Sequence, residues 1–316
     1  MTSSVPPSGA TIHVLKYALL FLVGTLWGSQ YIFIKTALED LDPLDISFLR
    51  TALGAAVMAI ACLIFLPRSG TRKLRRDSGS QWWLIAIIGI METGLPALLI
   101  AYGQQEIESS VAAILLGTTP LFTVVFACFL LKQESPRVGL ILGVLVGFAG
   151  LVLLFGLRTQ TEAALDPISG GLILVAAIAF AISIVLLNKV RDIHPLPLSR
   201  DLLIWASLPL LPAWLIWGNP GSLNITWASG LSIAFLATLG GGAVFLIYIQ
   251  LIRISGPTFA SLSNYLVPLV GILLGISAGN EQIRTTDLIA MLVILAALFM
   301  TQPRGSEPAG NIRSPR

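Results

Sequence analysis

Apolar stretches of about twenty residues alternate with short polar segments along this chain, and the alternation recurs ten times. A helix rises about 1.5 Å per residue, so roughly twenty apolar residues cross a hydrocarbon core of about 30 Å. On that measure the pattern predicts helices over 17–37, 44–66, 82–103, 107–131 and 138–156. Five more are predicted over 169–188, 201–218, 231–251, 257–278 and 288–301. Lys16 is the one basic residue before the first stretch, and that stretch is longer than a signal-peptide core, so it is expected to be retained.

Of the 316 residues, 55% are hydrophobic and 11% charged, with a mean hydropathy of +0.87. A soluble domain of this length cannot bury so much apolar surface. The expected class is therefore an all-α integral membrane protein of ten transmembrane helices, with the lipid bilayer as a partner. A net charge of +3 and a pI near 9.0 would suit a nucleic acid, but the basic residues sit in short segments between apolar runs. No aromatic-interleaved basic patch exists, so no nucleic acid is expected. If the N-terminus is cytoplasmic, 15 of the 19 lysines and arginines fall on the inner side, leaving Lys35, Arg50, Arg158 and Arg284. That asymmetry predicts a multi-pass protein of the cell (inner) membrane with both termini cytoplasmic. Cys62 and Cys128 lie in apolar runs, and His13 and His194 are far apart, so no disulfide, metal site or cofactor is expected.

The chain also repeats itself. Residues 107–120 read IESSVAAILLGTTP and 254–268 read ISGPTFASLSNYLVP; each starts in a polar turn and reaches a mid-span proline. Glu134 and Glu281 follow Pro120 and Pro268 at nearly equal spacing and close the fourth helix of each half. Five spans per half is an odd number, so the second half enters the membrane upside down. The expected organisation is two inverted five-helix repeats, 14–156 and 168–302, with cytoplasmic tails 1–13 and 303–316. Such repeats commonly build alternating access around a site near the midplane, which points to transport of a small-molecule substrate.

With LWGSQYIFIK at 26–35, ISFLR ending at Arg50, SSVAAILLGTTPLFTVV at 109–125 and LIYIQLIRISGPTFASLSNYLVPLVGILLG at 246–275, the chain resembles the drug/metabolite transporter superfamily, in its ten-helix EamA-type branch. Asn280 stands where that family usually carries glycine before the glutamate, and the last span lacks its customary glycines. The resemblance implies a secondary transporter, mostly an exporter of amino acids or related metabolites, or of drugs and toxic compounds.

Glu92 lies mid-span, where an ionised carboxylate costs about 2.5–3.5 kcal/mol even on a lenient insertion scale. It is a candidate for proton coupling or for holding a substrate amine; the alternative is a protonated carboxyl bonded to a neighbouring helix for packing. The run Gly240–Gly242 occupies the matching place in the second half and would offer bare backbone opposite the carboxyl. Trp27 lies on a face of the first helix with Gly24, Gly28, Tyr31 and Lys35, at steps of three and four. Trp27, Gln30, Thr118, Phe180, Tyr248 and Asn264 are further candidate substrate contacts, with Ser183 a weaker one. Pro120, Gly241 and Pro268 mark helix breaks in corresponding positions, because a proline frees a carbonyl one turn earlier. Lys35 and Arg50 read either as an external gate or as snorkelling cations paired with Glu39, Asp40, Asp42 and Asp45. The ladder Gly139–Gly143–Gly147–Gly150 reads as packing, and Glu134 and Glu281 as capping groups. An intramembrane enzyme would need a nucleophile with a base, and no histidine lies in any span. A channel would need a filter signature, which is missing too. Transport is the expectation, and an enzyme is not.

Overall fold

The computed structural model describes residues 9–66, 81–129, 138–158, 166–190, 193–218, 220–221, 223–248, 250–251, 254 and 263–301. Their regular structure is entirely helical. The first half holds α1 (Gly9–Ala37), α2 (Pro43–Phe65), α3 (Trp82–Glu106), α4 (Ser109–Leu116), α5 (Thr119–Phe129) and α6 (Val138–Arg158). The second holds α7 (Pro167–Leu187), α8 (Pro195–Trp217), α9 (Trp227–Tyr248), α10 (Ser263–Ser277) and α11 (Thr285–Thr301). Because α4 and α5 are two pieces of one broken span, the described residues make ten spans. Val14–Ala37, α2, α3, α7 and α9 are each long and apolar enough to cross a bilayer unaided.

The polarity is that of a protein solvated by lipid. Leu63, Val138, Val152, Trp217, Leu273 and Phe299 point outward, while Ser47, Thr51, Gln104, Ser109 and Ser183 are buried. With no water outside to compete, polar side chains gain by bonding across helices and apolar ones gain little by hiding.

Exchanging the halves maps each principal helix contact onto another. α1 packs on α10 as α7 packs on α4 and α5; α3 packs on α7 as α9 packs on α1; α8 meets α3 as α2 meets α9. The contacts α2–α8, α6–α11 and α4–α10 map onto themselves. This is the packing of a two-fold inverted repeat. Small residues permit it: a Cβ on Gly28 would stand 2.6 Å from Cβ of Val270 and 2.8 Å from the Val267 carbonyl, so α1 touches α10 backbone to side chain. Gly139, Gly147 and Gly150 likewise receive Met300, Leu121 and Ile294, so the ladder on α6 packs against α5 and α11. The last helix is held closely despite having no glycines of its own.

Among the described residues, three helix starts precede the hydropathy pattern by four residues or more. α8 starts at Pro195 rather than near 201: Pro195 and Pro197 occupy its first turn, where a missing N–H costs nothing, and the His194 ring accepts from the Leu196 N–H at 3.3 Å. α9 starts at Trp227 because Thr226 and Ser229 form a reciprocal cap. α1 begins at Gly9, inside the expected tail. Asn280 has φ 51°, a left-handed turn after α10 that favours glycine and that asparagine tolerates, which accounts for its place before Glu281.

Candidate functional site

Both third spans widen into a π-turn at mid-length, Ile90–Gly94 in α3 and Thr238–Ala243 in α9. In α3 the cause is Pro96, whose ring and missing N–H deny the Glu92 carbonyl its ordinary partner four residues on. A π-turn inserts an extra residue and reorients the side chains around it, a device common at functional sites. Glu92 sits in this turn and is buried. The hydroxyl of Ser183, from α7 in the other half, donates to the Glu92 carboxyl and also lies 2.9 Å from the Phe180 carbonyl. One residue along the turn, the buried Thr93 hydroxyl has no partner among the described residues.

Trp27 faces the second half. Its ring lies 4.9 Å from that of Tyr248 and 6.4 Å, edge-on, from that of Phe245. Tyr248 is within electrostatic reach of Glu92. The Trp27–Tyr248 rings and the Glu92–Ser183 pair are thus two contacts drawn from both halves, with Phe180 one turn from Ser183 on α7. In the Gly240–Gly242 run, expected opposite Glu92, Gly242 faces α2. A Cβ on Gly242 would meet Met58 at 2.7 Å, because α9's π-turn packs against α2 while α3's packs against α7 and α8. Gly241 does lie in that second π-turn.

Gln30 and Arg50 are brought together and both are buried. Arg50 Nη2 donates to Gln30 Oε1 at 3.2 Å, and the Tyr31 phenol adjoins the pair. Among the described residues Arg50 is buried on Gln30 rather than paired at the surface with the nearby acids, one of its two sequence readings. Asp45 accepts instead from Trp214 Nε1 at 2.7 Å and from its own helix start at Asp42 N at 3.2 Å. Lys35 caps the end of α3, with Nζ 2.7 Å from the Gln104 carbonyl. Glu281 caps the start of α4, accepting from the N–H groups of Ser109 at 2.7 Å and Ser110 at 3.0 Å. Those donors are orphans of a helix N-terminus, which attracts a carboxylate.

Pro120 stands in the first turn of α5, and the break before it is closed locally. Thr118 Oγ1 donates to the Leu115 carbonyl at 2.6 Å and Thr119 Oγ1 to that of Leu116 at 2.7 Å. The Thr118 hydroxyl is therefore engaged by its own backbone. Pro268 lies inside α10 against this break, where a Cβ on Gly117 would be 3.5 Å from its Cγ. The Asn264 side chain and Glu134 fall outside the described residues. The sequence pattern did not disclose the π-turns, although Pro96 four residues after Glu92 carries the signal for one of them.

The model described as the EamA-like transporter family matches residues 14–156 and 169–302. The chain is 24% identical over 302 residues to an uncharacterized inner membrane transporter, YedA, of Escherichia coli K12, covering 95% of this chain and 94% of that one. It is 28% identical over 291 residues to the uncharacterized transporter YyaM of Bacillus subtilis, covering 90% and 93%. A crystal structure 18% identical in sequence superposes with a TM-score of 0.63, over 93% of this chain and 98% of that one, and shares its fold.

Proposed function

Because the chain belongs to the EamA-like transporter family and is a multi-pass membrane transporter, we propose that it exports amino acids or related small amines by alternating access, without ATP. One observation carries this reading: the buried carboxyl of Glu92 is shared between the two inverted halves through Ser183, with the Trp27–Tyr248 pair a second contact between them and Tyr248 within electrostatic reach of Glu92. A carboxyl in that place has two uses. Ionised, it holds an ammonium group out of water; protonated, it lets the empty site return, which couples flux to the proton gradient. The aromatic pair supplies apolar walls and, from its ring faces, further attraction for a cation. The halves, packed on each other through α6–α11, α2–α8 and α1–α10, rock around the site. In this reading both termini are cytoplasmic.

The same carboxyl and rings would suit cationic drugs, so the discriminating experiment is a solute panel. Cells with and without the protein are loaded with amino acids, simple amines and aromatic cations, and efflux is followed. Faster efflux of amino acids or amines supports the reading. Faster efflux of aromatic cations alone moves it to toxic-compound export, and no difference for any solute contradicts transport of this class.

A further inference from the structure

We infer that Arg50 is the anion-binding element of the solute site and that the carried solute bears a carboxylate; this rests on the transport reading above. The warrant is a buried charge with no acidic partner among the described residues. Arg50 lies seven residues into α2 and is only 7% exposed. Its guanidinium stays protonated and carries five N–H donors. Among the described residues it makes one hydrogen bond, to the neutral amide oxygen of Gln30, and the Tyr31 phenol lies within its electrostatic reach. Of the acids near it in sequence, Asp45 holds Trp214 and the start of α2, and Asp40 accepts from Thr226.

A buried cation in a membrane bundle is costly and ordinarily faces a partner or a water-filled cavity. An incoming carboxylate fits what is missing, because its two oxygens match the planar fork of a guanidinium. The place fits as well. Gln30 follows Trp27 by three residues, so it holds Arg50 about one helical turn, roughly 5 Å, along α1 from the Trp27–Tyr248 pair. A solute with an apolar body against those rings can therefore present its acid group to Arg50.

The test is binding, read without flux. Full-length protein in lipid nanodiscs is titrated with 3-phenylpropionate or its neutral amide, 3-phenylpropanamide, at constant ionic strength, and the rise in Tm is followed. The expected result is a saturable rise with the acid and a binding at least about tenfold weaker for the amide, the size of one lost charge-assisted hydrogen bond. Arg50→Gln should erase the difference, Arg50→Lys should keep part of it, and Arg200→Gln, which breaks an ion pair with Asp201, should keep all of it. If Arg50→Gln fails to fold, the wild-type comparison and Arg50→Lys decide. Wild type that answers both probes alike, or neither, overturns the inference, as does any Arg50 variant with the full preference. A protein that effluxes solute but does not discriminate acid from amide sinks this inference alone. One that discriminates but moves nothing sinks the transport reading alone.

Discussion

Glu92 and Glu281 are both glutamates of helical spans or their ends, yet their surroundings give them different work. Glu281 accepts from two backbone N–H groups at the start of α4. Removing it leaves those donors unpaired, so Glu281→Ala should cost about 1–3 kcal/mol of stability. Flux per folded molecule should stay unchanged, as thermal melts beside normalised efflux would show. Glu92 rests on one side-chain hydroxyl from the other half. Ser183→Ala leaves that carboxyl short of a donor and should destabilise the bundle, whereas adding Glu92→Leu to it should recover most of the loss. The double-mutant cycle measures the coupling, and simple additivity would mean that the two side chains do not depend on each other. Glu92 was legible because a mid-span carboxyl is costly wherever it points. The fate of Arg50 was not, because distance from a helix end does not say which face a side chain takes. Seven residues into α2 it turns to Gln30 rather than to water.

Helices were legible in number and less so in detail. Proline reads as loop in sequence, but at Pro195 and Pro197 it begins α8, so that boundary moved. The π-turns leave no mark in hydropathy, since an inserted residue does not change how apolar a span is. Two predictions belong at this scale. Gly28→Val would drive a side chain into Val270 and the Val267 carbonyl. Overpacking of this kind costs about 1–3 kcal/mol, so the variant should melt earlier, and an unchanged Tm would place α10 farther from α1. Pro96→Ala gives the Glu92 carbonyl back an N–H partner four residues on, so it should return Ile90–Gly94 to α-helical spacing and re-aim Glu92. The protein should still fold, because a π-turn is not a stabilising feature, but flux should vanish as Glu92 leaves Ser183.

The whole molecule is two halves whose contacts exchange with one another, and the odd number of spans per half inverts the second. The motif pairs at 107–120 and 254–268 carried that symmetry in the sequence; the pairing of α1 with α10 did not show there, because glycines say that something approaches and not what. Inversion with both ends inside predicts that Lys73→Cys and Ala164→Cys, in a background without Cys62 and Cys128, label from opposite sides of the membrane. Labelling from one side would remove the inverted topology.

The central claim is that solute is held between the halves at Glu92. The most direct test is solute counterflow in proteoliposomes, comparing wild type with Glu92→Gln from mildly acidic to mildly alkaline pH. Glutamine keeps the shape and the bond from Ser183 but cannot ionise. The expected result is a folded protein whose counterflow falls by about tenfold or more, the loss of a bond to a charged group, or no longer varies with pH. Glu92→Gln that matches wild type at every pH would make the carboxyl a packing group and contradict the account.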